Sequence, residues 1–432
     1  MSAITVPEVA KVKDDVQVKL SWKLPITLAI ATVLILFMAI NAEGKTRFRL
    51  MDRAQGYSIP DVSLTAGTLL WAFLFIAIAG TAYSIYFTAS RVTSSGARRI
   101  HTTLIILVAI STILAFLTFA GAGSHGAVTL TSTLVSTIAI STPLIFGALS
   151  GVVCERVGVV NIAIEGQLLL GAFAGVMFAS MSGSPLVGLV AAPVAGAFLG
   201  VLLALFSVKY GVDQIIVGVV LNVLALGLTT FFYGTIMRDN AANMNTNAYS
   251  LKAIPLPGLV EIPIIGPMLF NQTILVYAMY VIVIVLTIFL FRSRWGLRMR
   301  ACGEHPKAAD TVGINVNRTR WLNTILGSAL AGLGGAFFTI GSSLAFTDNM
   351  SAGNGYIALA AMILGKWHPI GAVGASLMFG FAKAVAQLVP NISDGIPSQL
   401  VNMIPYIVTI IAVAGFVGKS RPPAAENIPY IK

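Results

Sequence analysis

Along most of its length the chain alternates long apolar runs with short polar interruptions. A transmembrane helix needs about 17–25 predominantly apolar residues. Runs of that kind occupy residues 24–40, 65–88, 103–120, 134–153, 157–181, 186–208, 215–236, 273–291, 321–341, 370–389 and 398–417. A shorter one, 355–365, is followed by Lys366-Trp367-His368-Pro369 and a new apolar run, which predicts a discontinuous or tilted element. The pattern predicts an all-α polytopic membrane protein of about 10–12 transmembrane helices, including discontinuous or re-entrant segments.

Composition sharpens this picture without changing it. Of 432 residues, 57% are hydrophobic and 10% charged, against about 25% charged in soluble domains. A sizeable soluble domain does not fit. The formal charge of +11 lies mostly in loops between spans, where it orients the chain rather than binding nucleic acid. With the N-terminus inside, cytoplasmic segments hold twenty of the 27 Lys and Arg and external segments six, so both termini are expected to be cytoplasmic. Segment 41–64 runs against this count, with Lys45, Arg47, Arg49 and Arg53 outside. Run 24–40 is read as a retained span, because Ile40-Asn41-Ala42 lacks a small residue at the outer position of a cleavage site. Cys154 and Cys302 fall in segments read as cytoplasmic loops, and His101, His125, His305 and His368 are scattered, so neither a disulfide nor a metal site is expected. The layout divides into a tail over 1–23, a membrane region of about three spans over 24–123, a core over 124–418 and a C-terminal tail over 419–432 that reads as unfolded.

Two polar segments stand out. Residues 299–313 place Glu304, His305, Pro306, Lys307, Ala308, Ala309, Asp310 and Gly313 within a basic island. Pro306 suits a first helical turn and Gly313 a helix stop, while Ala308 and Ala309 would let another backbone come close. A compact helix presented to a soluble partner is what a permease needs to receive work from an ATPase. The second segment, 155–167, sets Asn161, Glu165 and Gln167 among aliphatic residues, with Gly158 and Gly166 able to break the helix. Polar groups and broken backbone at membrane depth belong in the bundle interior or beside a water-filled path. The segment is read as a solute pathway or as an interfacial loop that packs the bundle, with Glu155 and Arg156 interfacial and structural.

Other features carry two readings each. Asn222, Asn323 and Asn402 could meet a polar solute or bond between helices, and Lys383 could snorkel or pair with Gln387. Phe231, Phe232, Tyr233, Phe337 and Phe338 form a stacking surface or an interfacial belt. Gly171 and Gly175, Gly196 and Gly200, and Gly327, Ala331 and Gly335 are small residues at fourfold spacing, suited to close helix packing. Segment 237–272 is too polar and proline-broken to span, and is read as an external cap or docking surface, or as a tolerated loop. Gly418-Lys419-Ser420 ends like a phosphate-binding loop, but Val413 stands where that loop needs its first glycine. No arrangement suggests catalysis, so the chain is read as no enzyme.

Segments 155–167, 299–313 and 365–374 together resemble the branched-chain amino acid and simple-sugar permease family of bacterial ABC importers, over about 134–417. The runs beginning at Glu155 and Gly303 resemble most closely its nucleoside branch, the one linked to basic membrane lipoproteins. Residues 11–123 depart from shorter members of the family, and an adaptor or regulatory use for them stays open. The resemblance implies a multi-pass permease subunit in a bacterial plasma membrane, with a second related permease, an ABC ATPase subunit and an external substrate-binding lipoprotein as partners. It implies no cofactor on this chain, ATP and Mg being used by the ATPase. Glu304 through Gly313 then match the coupling helix over segment 292–320, and Asn161, Glu165, Gly166, Gln167 and Asn222 match the substrate path. Nucleosides are the expected cargo and simple sugars the alternative. An ion-coupled secondary transporter, with Glu165 carrying a proton, is the main rival.

Overall fold

The computed structural model describes residues 22–50, 60–90, 95–124, 126–342, 344–392, 399, 401, 403 and 421–431. The last predicted span, 398–417, with Asn402 and the Gly418-Lys419-Ser420 turn, lies almost wholly outside the described residues, as does His125.

In chain order the helices are α1 (Lys23–Asn41), α2 (Ala66–Ala89), α3 (Ser95–Ala120), α4 (Leu130–Glu155), α5 (Ile164–Ser182), α6 (Pro185–Ala204) and α7 (Gln214–Phe232). They continue with α8 (Ala241–Met244), α9 (Ile265–Phe270), α10 (Ile274–Arg292), α11 (Arg294–Glu304), α12 (Pro306–Thr311), α13 (Val316–Gly335), α14 (Asn354–Leu364) and α15 (Pro369–Ile392). Among the described residues ten helices are long and apolar enough to cross a membrane, with α14 as a shorter apolar helix. The all-α membrane class is therefore what the chain adopts. Short strands punctuate the loops: β1 (Lys45–Arg49) pairs antiparallel with β2 (Val62–Thr65) and parallel with β3 (Val128–Thr129). In segment 237–272, β4 (Ala253–Pro255) pairs antiparallel with β5 (Asn271–Thr273).

The chain divides into two compact units. One comprises Met1–Asn41 and Leu70–Phe116. Within it Thr32 and Thr81 hydroxyls meet at 2.9 Å, and His101 stacks on Phe87 at 4.3 Å between centroids. The other comprises Ala42–Leu69 and Leu117–Lys432 and holds every candidate site residue.

In this larger unit α4 and α5 form the centre, with 89% and 78% of their most apolar stretches buried, against 33% for α6 and α7. Lipid chains are as apolar as leucine, so helices in a bilayer associate through close packing rather than apolar burial. Glycine supplies that packing here. A Cβ at Gly171 would lie 2.2 Å from the Gly332 carbonyl oxygen, one at Gly332 2.4 Å from that of Ala192, and one at Gly335 2.1 Å from that of Leu168. The backbones of α5, α6 and α13 thus touch directly, as the fourfold spacing of small residues leads one to expect.

Four expectations need correction. The predicted span 157–181 is not one helix, since α5 begins at Ile164 and Arg156 to Ala163 form a buried turn that passes through Gly158 at φ +90°. Gly166 is an ordinary helical residue whose missing Cβ admits α7, a Cβ there meeting Asn222 Cα at 3.1 Å. Cys154 and Cys302 lie on helices α4 and α11, not in loops, and both are buried and free. The tail that reads as unfolded packs instead, with Ala425 buried and its amide donating to the Gly303 carbonyl at 2.8 Å.

Gly171→Val drives a branched side chain into the Gly332 backbone and is expected to cost about 2–3 kcal/mol, read as a lower midpoint of thermal unfolding in detergent. Gly227→Ala, where an added Cβ meets nothing within 4 Å, is expected to leave that midpoint unchanged.

Candidate functional site

The turn between α4 and α5 runs through the protein interior with its backbone groups exposed to hydrogen bonding. Buried backbone donors and acceptors must find partners, because no water reaches them. Side chains supply these. Gln214 Oε1 accepts from the Val160 amide at 2.7 Å, and Asn222 Nδ2 donates to the Ile162 carbonyl at 2.9 Å. Asn222 Oδ1 also accepts from the Gly166 amide at 2.8 Å, so one residue of α7 ties both sides of the break.

Asn161 of this turn and Gln167 of α5 pair through both amide groups, at 3.0 and 3.1 Å. Asn161 also donates to Ser150 at 3.0 Å and Gln167 to Ser328 at 2.9 Å, joining α4, α5 and α13. Both amides are fully buried with their donors satisfied. The structure places both side chains in a buried network that joins α4, α5 and α13. A fully satisfied polar network in a low-dielectric interior specifies one arrangement of its helices.

Glu165, at the first turn of α5, does different work. Its Oε1 accepts from Ser351 Oγ at 2.6 Å and the Gly353 amide at 2.7 Å, and its Oε2 accepts from the Gly355 amide at 2.6 Å. The carboxylate therefore sits at the N-terminus of α14, where unpaired amides and the helix dipole favour negative charge. The fit requires glycine, since a Cβ at Gly355 would lie 2.5 Å from the Glu165 backbone nitrogen. Beside it Lys383 Nζ donates to Asn354 Oδ1, not to Gln387, and Asn354 Nδ2 donates to the Ser351 carbonyl at 2.7 Å. Asn222 extends to the Tyr356 hydroxyl at 3.4 Å, and Tyr356 is 51% exposed. Tyr356 is where this network reaches the surface, presenting a hydroxyl and a flat ring. Sequence reasoning missed Ser351 and Asn354, which precede the short apolar run 355–365, and Tyr356, which lies at its start with nothing local to set it apart.

The aromatic and asparagine candidates separate cleanly. Phe231 is exposed, Phe337 is buried, and Tyr233 packs edge-on to Phe346 at 5.7 Å. Phe346 was not anticipated; it also meets Phe173 at 5.3 Å, and its backbone is bonded on both sides by Asn245 of the proline-rich loop. Asn323 makes an interhelical bond, accepting from Trp295 Nε1 at 3.0 Å. Among the described residues no group of three His, Cys, Asp or Glu could hold a metal.

The basic island forms a knuckle of two short helices. Ser293 caps α11 by accepting from the Gly296 amide at 3.0 Å, and His305 Nδ1 accepts from Ala308 at 3.4 Å to cap α12. Gly313, at φ +82°, follows its end, and Asn315 Oδ1 accepts from Arg318 at 2.9 Å to start α13. Glu304 closes α11 rather than lying on α12. His305, Lys307, Ala308 and Val312 are exposed, Val312 at 75%, while Pro306 and Asp310 are half-buried. Ala309 faces inward at 3% exposure, so the close approach expected of it is to its own chain. Gly303 packs so tightly on the α4 end that a Cβ would lie 2.4 Å from the Arg156 carbonyl oxygen. Glu155, read as interfacial, is buried and accepts from Trp367 Nε1 at 2.5 Å, while Arg156 Nε donates to the Trp367 carbonyl at 2.9 Å. Burial pushes the Cys302 thiol above its ordinary value, so it is no reactive thiolate.

Glu165→Gln turns one acceptor into a donor facing other donors. It is expected to lower stability by about 2 kcal/mol, measured by thermal unfolding, with Ser351→Ala costing less. A Gln variant as stable as the parent would mean the carboxylate caps nothing.

Residues 133–413 match the family described as branched-chain amino acid transport system / permease component. The guanosine ABC transporter permease protein NupQ of Bacillus subtilis is 41% identical over 302 residues, covering 66% of this chain and 92% of that protein. The nucleoside ABC transporter permease protein NupC of Lactococcus lactis is 40% identical over 295 residues, with the same coverage of 66% and 92%. A putative glucose ABC transporter permease protein of Haloferax volcanii is 30% identical over 286 residues, covering 62% of this chain and 85% of its own. No solved structure matches the chain. The matched region contains the Glu165 network and the α11–α12 knuckle and leaves α1–α3 outside it. The chain belongs to the permease-component family of branched-chain amino acid transport systems, and is a multi-pass ABC transporter permease.

Proposed function

We propose that this chain is the permease subunit of an ATP-driven nucleoside importer, moving its substrate by alternating access while partner ATPase subunits hydrolyse ATP with Mg. The observation that carries this reading is 40–41% identity, over 92% of their length, to permeases named for guanosine and nucleosides. Simple sugars are the second reading, favoured by the putative glucose permease at 30% identity. The chain itself is no enzyme in this account. A second related permease completes the path, and a lipid-anchored binding protein delivers substrate on the face that carries segment 237–272.

Charge bias supports an inward-facing knuckle and cytoplasmic termini, because seven Lys and Arg lie between Arg292 and Arg320. In this orientation α12 enters a groove of the ATPase through Lys307, Ala308 and Val312. When the ATPases close on ATP, α12 moves with them. The rigid frame of Asn161 and Gln167 carries the motion to α5, and the Glu165 cap and Tyr356 shift with it. A neutral polar solute suits a path offering amide and hydroxyl groups and an exposed ring.

Because both described cysteines are buried, a Val312→Cys variant is expected to react with an impermeant maleimide only from the cytoplasmic face. Labelling from outside would reverse the topology and remove α12 from the ATPase. In proteoliposomes containing the full complex, Lys307→Glu and Ala308→Trp are expected to lower both ATP-driven guanosine uptake and guanosine-stimulated ATP turnover about tenfold, the effect of losing roughly 1.4 kcal/mol at an interface. Uptake driven by a proton gradient without ATP would instead support a secondary transporter.

A further inference from the structure

Residues 421–431 pack against the base of the knuckle although Arg421-Pro422-Pro423-Ala424-Ala425-Glu426 has the composition of a loose tail. Three sets of bonds hold them. The Ala425 amide donates to the Gly303 carbonyl at 2.8 Å and the Ala424 amide to Glu304 Oε2 at 3.3 Å, at the last turn of α11 just before α12. Arg320 of α13, the largest fully buried side chain, donates to the Ile428 carbonyl at 2.7 Å and the Ala425 carbonyl at 3.3 Å. Asn427 reaches α7, its Nδ2 donating to Asp213 Oδ2 at 3.3 Å and its Oδ1 accepting from the Gln214 amide at 3.3 Å.

Each of these anchors leads to machinery already described. Gly303 and Glu304 adjoin α12. Gln214 is the residue that satisfies the Val160 amide in the broken turn, and α7 carries Asn222, which holds Ile162 and Gly166 on either side of it. The tail is therefore a hydrogen-bonded bridge from the ATPase-facing knuckle to the helix that supports the Glu165 site. Arg320 makes the bridge costly to release, because a buried guanidinium without acceptors is strongly disfavoured. Asn427 sits at φ +57°, a left-handed conformation that asparagine tolerates better than most residues. Glu426 lies beside Glu155, and burial raises its carboxyl above the ordinary range.

We propose that Ala424–Ile428 is a coupling strap, a positioning element that passes displacement of α12 to α7 and thereby to the Glu165–Asn222 site. This rests on the reading of α12 as the ATPase-docking helix. Work delivered at the knuckle then reaches the path by two routes, through the buried frame of α4, α5 and α13 and through the strap. Cutting the strap at its α7 end should leave the ATPase docked and turning over while less substrate moves for each ATP.

The test uses the complete complex in proteoliposomes, with radiolabelled guanosine as probe and uptake measured per ATP hydrolysed. Asn427→Gly keeps the left-handed backbone and removes the side-chain bridge. It is expected to leave ATP turnover within about twofold of the parent and to lower guanosine moved per ATP about tenfold, a coupling loss in the usual range. Asn427→Asp sets a second carboxylate against Asp213 and is expected to uncouple at least as strongly. Combining it with Asp213→Asn exchanges donor and acceptor, preserves an α7 cap, and is expected to restore uptake per ATP. An unchanged ratio in Asn427→Gly, or uptake and turnover falling together without rescue by the exchanged pair, would overturn the strap. Loss of uptake in Ala308→Trp alongside a normal Asn427→Gly would retain the docking helix and reject only the strap; no effect from either would reject the reading beneath it.

Discussion

A single carboxylate holds two interrupted helices together. Glu165 opens α5 immediately after the broken stretch that follows α4, and its oxygens accept the amides that open α14 after another. A broken backbone inside a bilayer protein survives only if each exposed amide and carbonyl is met by protein. Here the two breaks answer one another, the side chain from one satisfying the backbone of the other. The absence of a side chain at Gly355 allows the carboxylate to come close enough, while Gly353 supplies the φ of +81° that its turn needs.

Around this contact the molecule separates a part that does not yield from parts that can. The Asn161–Gln167 pair, with Ser150 and Ser328, binds α4, α5 and α13 through buried amides whose loss would leave unsatisfied donors. Backbone contacts at Gly171, Gly332 and Gly335 lock the same helices from the side. By contrast α14 is short, capped from outside itself, and carries the exposed Tyr356. On the proposed reading a transport cycle needs such a division, since work received at the knuckle would reach a distant site only if the frame between them did not absorb it. Small shifts are transmitted when packed elements have discrete arrangements rather than soft ones.

The knuckle shows how a helix of six residues keeps its shape without length. Isolated helices that short do not persist in water. Side-chain caps at Ser293, His305 and Asn315, the glycine turn at Gly313, and Ala309 and Cys302 buried beneath do what cooperativity cannot. Its outer face presents Lys307, Ala308 and Val312.

Much of this was legible in the amino-acid order alone. Hydrophobic run length set the spans because the thickness of the bilayer is a one-dimensional constraint that a linear pattern can meet. The proline and glycine bounding α12, and the small residues four apart, are likewise local signals read along one helix. Asn161, Glu165 and Gln167 could be singled out as polar residues at apolar depth, but not told apart: two are tied into the frame and one caps a distant helix. That distinction depends on Ser328, Ser351 and Gly355, far off in the chain, and no periodicity links them. The same holds for Arg320, Glu155 and the packed tail, whose partners are backbone carbonyls, the Trp367 indole and side chains at the ends of α7 and α11 brought together only by folding. Run length and local caps therefore determined which segments become helices, whereas tertiary structure alone decided which polar group answers which, because hydrogen-bond partners are chosen by proximity in space.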